Sequence, residues 1–253
     1  MNLLVVPKSL RQTICRINHD SIFAAHPGIQ KTYDRIRSKY YWPGMSSYIN
    51  HYVSTCFLCQ TKKAPRGTEP GQLITSEVSL PFEQVGIDVI GPLPTAHGKN
   101  YIIVAIDYFT KYIETQALPS QNAKNTAKFV IEKIFVRHGA PKMLLSDQGT
   151  NFTSKLLAEV TEILLIKHNF STPYHPQTNG QVERVNSVIK GMLLMYVNEY
   201  HSDWDEILPL VTFAYNVNIQ ASTKMSPFEM IFGRKPLVPD EYNVPIDIPV
   251  FDK

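Results

Sequence analysis

FEQVGIDVIGPLPTAHGKNYIIVAIDY, residues 82–108, decides the fold. Phe82–Ile90 and Tyr101–Tyr108 read as two strands, the second a run of Ile, Val and aromatic residues, and Gly91-Pro92-Leu93-Pro94 with His97-Gly98-Lys99-Asn100 supply the turn between them. Working outward, Tyr112–Ala117 adds a third strand. Asn122–His138 reads as a helix with Phe129, Val130, Ile134 and Phe135 on one side, ended by Gly139-Ala140-Pro141. Met143–Ser146 is a short apolar strand that delivers Asp147, Ile166–Phe170 an edge strand, and Asn151–Ile163, Val182–Tyr200 and Asp203–Asn216 are helical. Consecutive strands followed by alternating helix and strand predict an α/β unit, a mixed sheet flanked by helices.

Upstream the pattern changes. Leu10, Ile14 and Ile17 recur at helical spacing, as do Ile29, Tyr33, Ile36 and Tyr40, and then Tyr48, Ile49, Tyr52 and Val53, with Pro43-Gly44 separating the last two groups. The expected organisation is a small all-helical domain over 1–60, a linker over 61–80, a core over 81–235 and a proline-rich tail over 236–253. Charge follows the same division. Residues 1–70 hold ten Lys/Arg against three Asp/Glu, a balance of +7, and residues 71–253 hold fifteen against nineteen, a balance of −4. A basic front favours polyanions, and an acidic remainder suits divalent cations. Three cysteines, two of them in one C-x-x-C, argue against a disulfide framework. The first residues lack a signal peptide's basic start, and no stretch approaches the ~20 apolar residues of a membrane span. A soluble intracellular protein is expected.

His19, six residues, His26, twenty-nine residues and Cys56-Phe57-Leu58-Cys59 make a closed zinc site the expectation, because zinc takes four thiolate and imidazole ligands in a tetrahedron. The histidines precede the cysteines, the reverse of the usual finger. Cys15, one turn before His19, competes as a ligand, but it fits the helix face of Leu10 and Ile14, where a buried free thiol is the simpler reading. The bland alternative is two small core cysteines with incidental histidines. A helical unit this small needs such a staple to fold.

Asp88 within the first strand, Asp147 after the short strand and Glu183 in the first turn of a helix are carboxylates that a sheet-and-helix core would deliver to one place. Two Mg²⁺ (or Mn²⁺) ions held by such a triad would serve phosphoryl transfer on nucleic acid. Taken singly, each has an ordinary reading: Asp88 a strand-end acid, Asp147 in Ser-Asp-Gln-Gly a turn former, Glu183 a solvated helix residue. Asp107 is a strand-borne rival for the first position. Val182, Val185, Ile189 and Leu193 are expected to face inward, with Glu183, Asn186, Ser187 and Lys190 on the polar face. Asn186 and Lys190, with His175, Gln177 and Asn179 from the turn-rich run before Glu183, are the expected DNA contacts.

HDSIFAAHPGIQKTYDRIRSKYYWPGM with CFLCQTKK, then GIDVIGPLP, LLSDQGTNF, STPYHPQTNGQVERVN and SPFEMIFGRKP, occur in that order from about His19 to Pro236. In these segments the chain resembles integrases of retroviruses and, more closely, of gypsy-type long-terminal-repeat retrotransposons. The resemblance implies a His/Cys zinc domain for multimerisation and element ends, then a ribonuclease-H-like catalytic core. His19, His26, Cys56 and Cys59 match its zinc ligands, and Asp88, Asp147 and Glu183 its metal-binding triad. The implied activity is 3′-end processing of element DNA and strand transfer into target DNA, by a homo-multimer, with no small-molecule substrate and no membrane. The implied place of action is the nucleus, with the cytoplasm in transit. Residues 236–253 offer no counterpart to the carboxy-terminal DNA- or chromatin-binding domain of such enzymes, so a polyprotein fragment, truncated copy or host-retained remnant is expected. The rival readings are a non-catalytic, integrase-derived DNA-binding protein and a ribonuclease H acting on hybrids.

Overall fold

The computed structural model describes residues 3–62, 78–171 and 180–238. Its first unit is built from β1 (Leu4–Val5), α1 (Lys8–His19), α2 (Ile29–Arg37), β2 (Tyr40–Tyr41), α3 (Met45–Ser54) and α4 (Phe57–Lys62). Val6, Ile14, Cys15, Ile36, Trp42 and Ile49 are almost wholly buried together. The helices expected from the apolar spacing are present, with two additions. β1 and β2 pair in parallel, Leu4 opposite Tyr40, so the second helix stops at Arg37 and Tyr40 belongs to a strand. The C-x-x-C lies at the start of a short helix, α4. Two-residue strands and six-residue helices carry too few repeats for periodicity to reveal them.

The second unit contains β3 (Gln84–Ile90), β4 (Tyr101–Asp107), β5 (Ile113–Leu118), α5 (Ala123–Phe129), a π-helical turn over Val130–Phe135, α6 (Val136–His138), β6 (Met143–Ser146), α7 (Lys155–Ile163), β7 (Lys167–Phe170), α8 (Gly180–Tyr196), α9 (Trp204–Val217) and α10 (Pro227–Phe232). The strands lie in the order β5-β4-β3-β6-β7, with β3, β4 and β5 antiparallel and β3, β6 and β7 parallel. This is the mixed sheet flanked by helices that the sequence predicts.

β4 explains why the sheet is covered on both sides. Ile102, Val104 and Ile106 join Val182, Val185, Ile189, Leu208 and Val211 of α8 and α9, whereas Ile103 and Ala105 join Phe129, Val130, Ile134 and Leu157 of α5, the π-turn and α7. A strand buried on both faces loses polar alternation and becomes a continuous apolar run. Each fully buried Ile or Val contributes about 1.5–3 kcal/mol relative to exposure, so neither helical layer can leave without exposing the sheet.

Some boundaries differ from the expected ones. α7 begins at Lys155, not Asn151, because the Ser154 side chain accepts the Leu157 amide and caps it. α8 ends at Tyr196, and α10, started by Ser226 and Pro227 and closed by Gly233 at φ 65°, was not anticipated. No helix among the described residues is long and apolar enough to cross a membrane.

Candidate metal centres

The four donors His19, His26, Cys56 and Cys59 lie within 4.8 Å of one another. Their separations carry the argument. His26 Nδ1 is 3.3 Å from His19 Nε2; Cys59 Sγ is 3.4 Å from His19 Nε2 and 3.7 Å from His26 Nδ1; Cys56 Sγ is 3.4 Å from His26 Nδ1. A tetrahedron with Zn–N near 2.0–2.1 Å and Zn–S near 2.3 Å has N–N edges of about 3.3 Å and S–N edges of about 3.6 Å. The donor set and its dimensions therefore fit a zinc ion. The unit also orients its ligands: His19 Nδ1 lies 3.3 Å from Thr32 Oγ1, whose own proton goes to the Gly28 carbonyl, so His19 donates from Nδ1 and keeps Nε2 for the metal. Cys15 stands apart, wholly buried, its thiol pushed up to about 12 by burial and then by the Asp20 charge.

The second constellation is assembled by strand register. β3 pairs with β6 in parallel, Gly86 opposite Leu145, so Asp88 on β3 and Asp147 just past β6 each follow that pair by two residues. Gly86 and Ile90 flank Asp88 on the α8 face of the sheet. A Cβ at Gly86 would lie 2.6 Å from both the Tyr108 ring and the Val182 side chain, so a bare backbone is what lets the first turn of α8 close on β3. Glu183 follows Val182 directly. Lys111 Nζ holds the same turn through Gln181 Oε1 at 2.8 Å.

Asp88 is half-buried, and its carboxyl is raised above the ordinary aspartate value, first by burial and further by the charges of Asp147 and Glu183. Val89 N donates to its Oδ1 at 2.8 Å and Asn186 Nδ2 to its Oδ2 at 2.7 Å. Asp147 is exposed and accepts the Gly149 amide at 3.0 Å, and Glu183 is exposed in the first turn of α8. The charges of Asp147 and Glu183 thus both reach Asp88. Among the described residues, the His/Cys tetrad is the one group of three or more His, Cys, Asp or Glu donors converged to ligand separations.

The expected inward set of α8, Val182, Val185, Ile189 and Leu193, is buried. Asn186 is a correction. It does not share the exposed face of Lys190 but is 9 % exposed and bonded to Asp88, because i+3 from Glu183 falls on the side of the helix facing β3. Its Oδ1 is buried without a partner among the described residues. Lys190 is exposed. His175, Gln177 and Asn179, like residues 63–77 of the expected linker and 239–253 of the tail, lie outside the described residues. Asp107 is wholly buried and accepts bonds from Thr110 N, Thr110 Oγ1 and Phe109 N, which makes it a turn anchor and removes it as a rival ligand. Sequence reading missed Gly86 and the Lys111–Gln181 clamp. A glycine inside an apolar strand, two residues before an aspartate, was the available signal for the first.

Comparison with known proteins agrees in both units. Residues 6–65 match the family described as integrase zinc binding domain, and residues 79–176 match the integrase core domain. The chain is 31% identical over 237 residues to the retrovirus-related Pol polyprotein from transposon 412 of Drosophila melanogaster, covering 93% of this chain and 19% of that protein. It is 34% identical over 233 residues to the Pro-Pol polyprotein of simian foamy virus type 3 (strain LK3), covering 91% and 20%. It is 30% identical over 251 residues to the transposon Tf2-3 polyprotein of Schizosaccharomyces pombe, covering 98% and 18%. The chain spans about a fifth of the length of these curated relatives. Among solved structures, the catalytic core domain of BIV integrase aligns at 22% identity with a TM-score of 0.47, over 59% of this chain and 93% of that one. The chain thus carries an integrase zinc-binding domain followed by an integrase core domain, and its relatives are retrotransposon and retroviral polyproteins.

Proposed function

We propose that this chain is the integrase of a gypsy-type retroelement, a polynucleotidyl transferase that trims the 3′ ends of element DNA and joins them to target DNA. One observation supports the reading: Asp88 and Asp147 each follow the paired residues Gly86 and Leu145 of β3 and β6 by two positions, and the gap at Gly86 admits the turn bearing Glu183. Carboxylates from three separate elements on one rim form an oxygen-rich site suited to Mg²⁺ or Mn²⁺. Bound there, a pair of such ions would activate the attacking oxygen and neutralise the transferring phosphate.

The protein's part is placement. Val89 N and Asn186 Nδ2 fix the Asp88 carboxylate, the Gly149 amide fixes Asp147, and Gln181 with Lys111 fixes the turn below Glu183. Lys190, two turns on from Glu183 and exposed, would meet a DNA phosphate, and the sequence run with His175, Gln177 and Asn179 just before Glu183 would supply further contacts. His19, His26, Cys56 and Cys59, whose donors converge within 4.8 Å, would hold a structural zinc. Action in the nucleus after passage through the cytoplasm, as a homo-multimer, belongs to the same proposal.

The test is Asp147→Asn in a joining assay with labelled duplex ends and Mg²⁺ or Mn²⁺. Product should vanish while zinc content and melting temperature stay unchanged. Wild-type joining by that variant would refute the assignment, and a wild-type chain that binds DNA without nicking or joining it would make the chain a non-catalytic DNA-binding relative.

A further inference from the structure

We propose that the loop between the two zinc histidines is a plug that locks the metal unit onto the far end of α8 within the same chain, so that zinc occupancy governs the stability of the helix carrying Glu183. The inference rests on the reading of the His/Cys tetrad as a zinc site.

The contacts converge on one short segment. Tyr196, the last residue of α8, donates its hydroxyl to the Ser21 carbonyl at 2.9 Å, with the Asp20 carbonyl at 3.3 Å, and its ring lies 5.9 Å from that of the ligand His26. Asn218, just past α9, donates from Nδ2 to the Ala24 carbonyl at 3.2 Å and accepts Arg35 Nη1 at 3.1 Å. Phe23 meets Phe213 edge-on at 6.1 Å. Ala25 is buried in the same cluster as Val185, Ile189 and Leu193, so a residue adjoining a zinc ligand forms part of the core of the other unit.

The backbone of this segment requires support. Ala25 and His26 have φ 57° and 46°, a left-handed conformation that side-chain-bearing residues adopt reluctantly. Ligation of His26 would hold it from one side and the docking bonds from the other. Without the metal, a strained loop loses one of its two supports, and Tyr196, whose partners Asp20 and Ser21 lie 176 and 175 residues earlier in the chain, loses the carbonyls that order the end of α8. The start of that helix bears Glu183, and a helix is a stiff connection over four turns.

Hydrogen exchange on the full chain tests this, with the metal content measured in parallel. Chelation of the wild type should raise exchange across Met192–Tyr196 about tenfold, the consequence of losing roughly one to two hydrogen bonds' worth of local stability. Tyr196→Phe and Asn218→Ala should retain one zinc per chain yet exchange faster in that segment even when loaded. The inference fails if chelation frees the His19–Cys59 region while Met192–Tyr196 exchanges as before; the zinc site would then stand and the coupling would not. A wild type that retains no zinc would overturn both. Protection of Met192–Tyr196 that weakens on dilution would place the plug on a second copy and overturn docking within one chain.

Discussion

Gly86→Ala tests how the rim is built. The added methyl would lie 2.6 Å from Tyr108 Cε2 and from Val182 Cγ2, against an ordinary carbon–carbon contact of about 3.5–4.0 Å. β3 is central and paired on both sides, so the strand cannot move aside; the start of α8 must retreat by roughly 1 Å. Overpacking of this kind costs about 1–3 kcal/mol. In a domain of this size that lowers the melting temperature by about 2–4 °C per kcal/mol. The larger effect falls on chemistry, since a displacement of about 1 Å at a reacting centre can cost on the order of 10²-fold in rate. Joining of labelled ends should therefore drop far more than stability. Val182→Ala in the same chain removes one of the two clashing groups and should restore part of the rate, a coupling that a double-mutant cycle measures. If Gly86→Ala joined DNA at the wild-type rate, with or without the second change, close approach of α8 to β3 would have no part in setting the site.

Asn186→Ala should reduce joining at least tenfold through loss of the bond that orients Asp88, with the activating metal concentration shifted upward; an unchanged metal midpoint would return Asn186 to a purely structural role. Cys15→Ala should retain one zinc per chain and Cys59→Ala none, as metal analysis would show, because Cys15 is buried outside the tetrad; loss of zinc from Cys15→Ala would contradict that. The loop at His97 and Lys99 is tied to Asp205 of α9, which raises His97 through the Asp205 hydrogen bond first and its charge second. A raised folded value means that the contribution of His97 is complete below its unfolded value, about 6.5, and is lost as pH rises through the folded one. Asp205 itself is net lowered, its burial outweighed by the Lys99 and His97 hydrogen bonds and charges, so its contribution is present above about 3.9 and lost as pH falls through the folded value. NMR titration of Asp205→Asn should bring His97 back toward 6.5, and an unmoved midpoint would show that the pair does not interact in solution.

What the sequence disclosed depended on how much repetition each feature carried. β4 is legible because six of its seven residues are Ile, Val, Ala or an aromatic, which leaves few alternatives, and the inward stripe of α8 because it recurs at Val182, Val185, Ile189 and Leu193. The His/Cys tetrad could be read from ligand chemistry, since imidazoles and thiolates at those spacings have few other uses. Asn186 was placed on the wrong side because helical spacing gives an angle about the axis but not the position of β3 beside it. The parallel pair β1–β2 is two residues long in each strand and leaves no pattern. The docking of the 20–26 loop on Tyr196 and Asn218 joins positions about two hundred residues apart through carbonyl groups, which every residue possesses and no sequence advertises.

The spacing of the His/Cys donors bears on ion discrimination. Cu²⁺ outcompetes Zn²⁺ in raw affinity for most ligand sets but favours a flattened, tetragonal arrangement. Here the imidazole of His19 is braced by Thr32 and that of His26 sits on a left-handed backbone, so flattening the cage would disturb both mounts. Shape, more than donor strength, would then decide which cation the unit keeps.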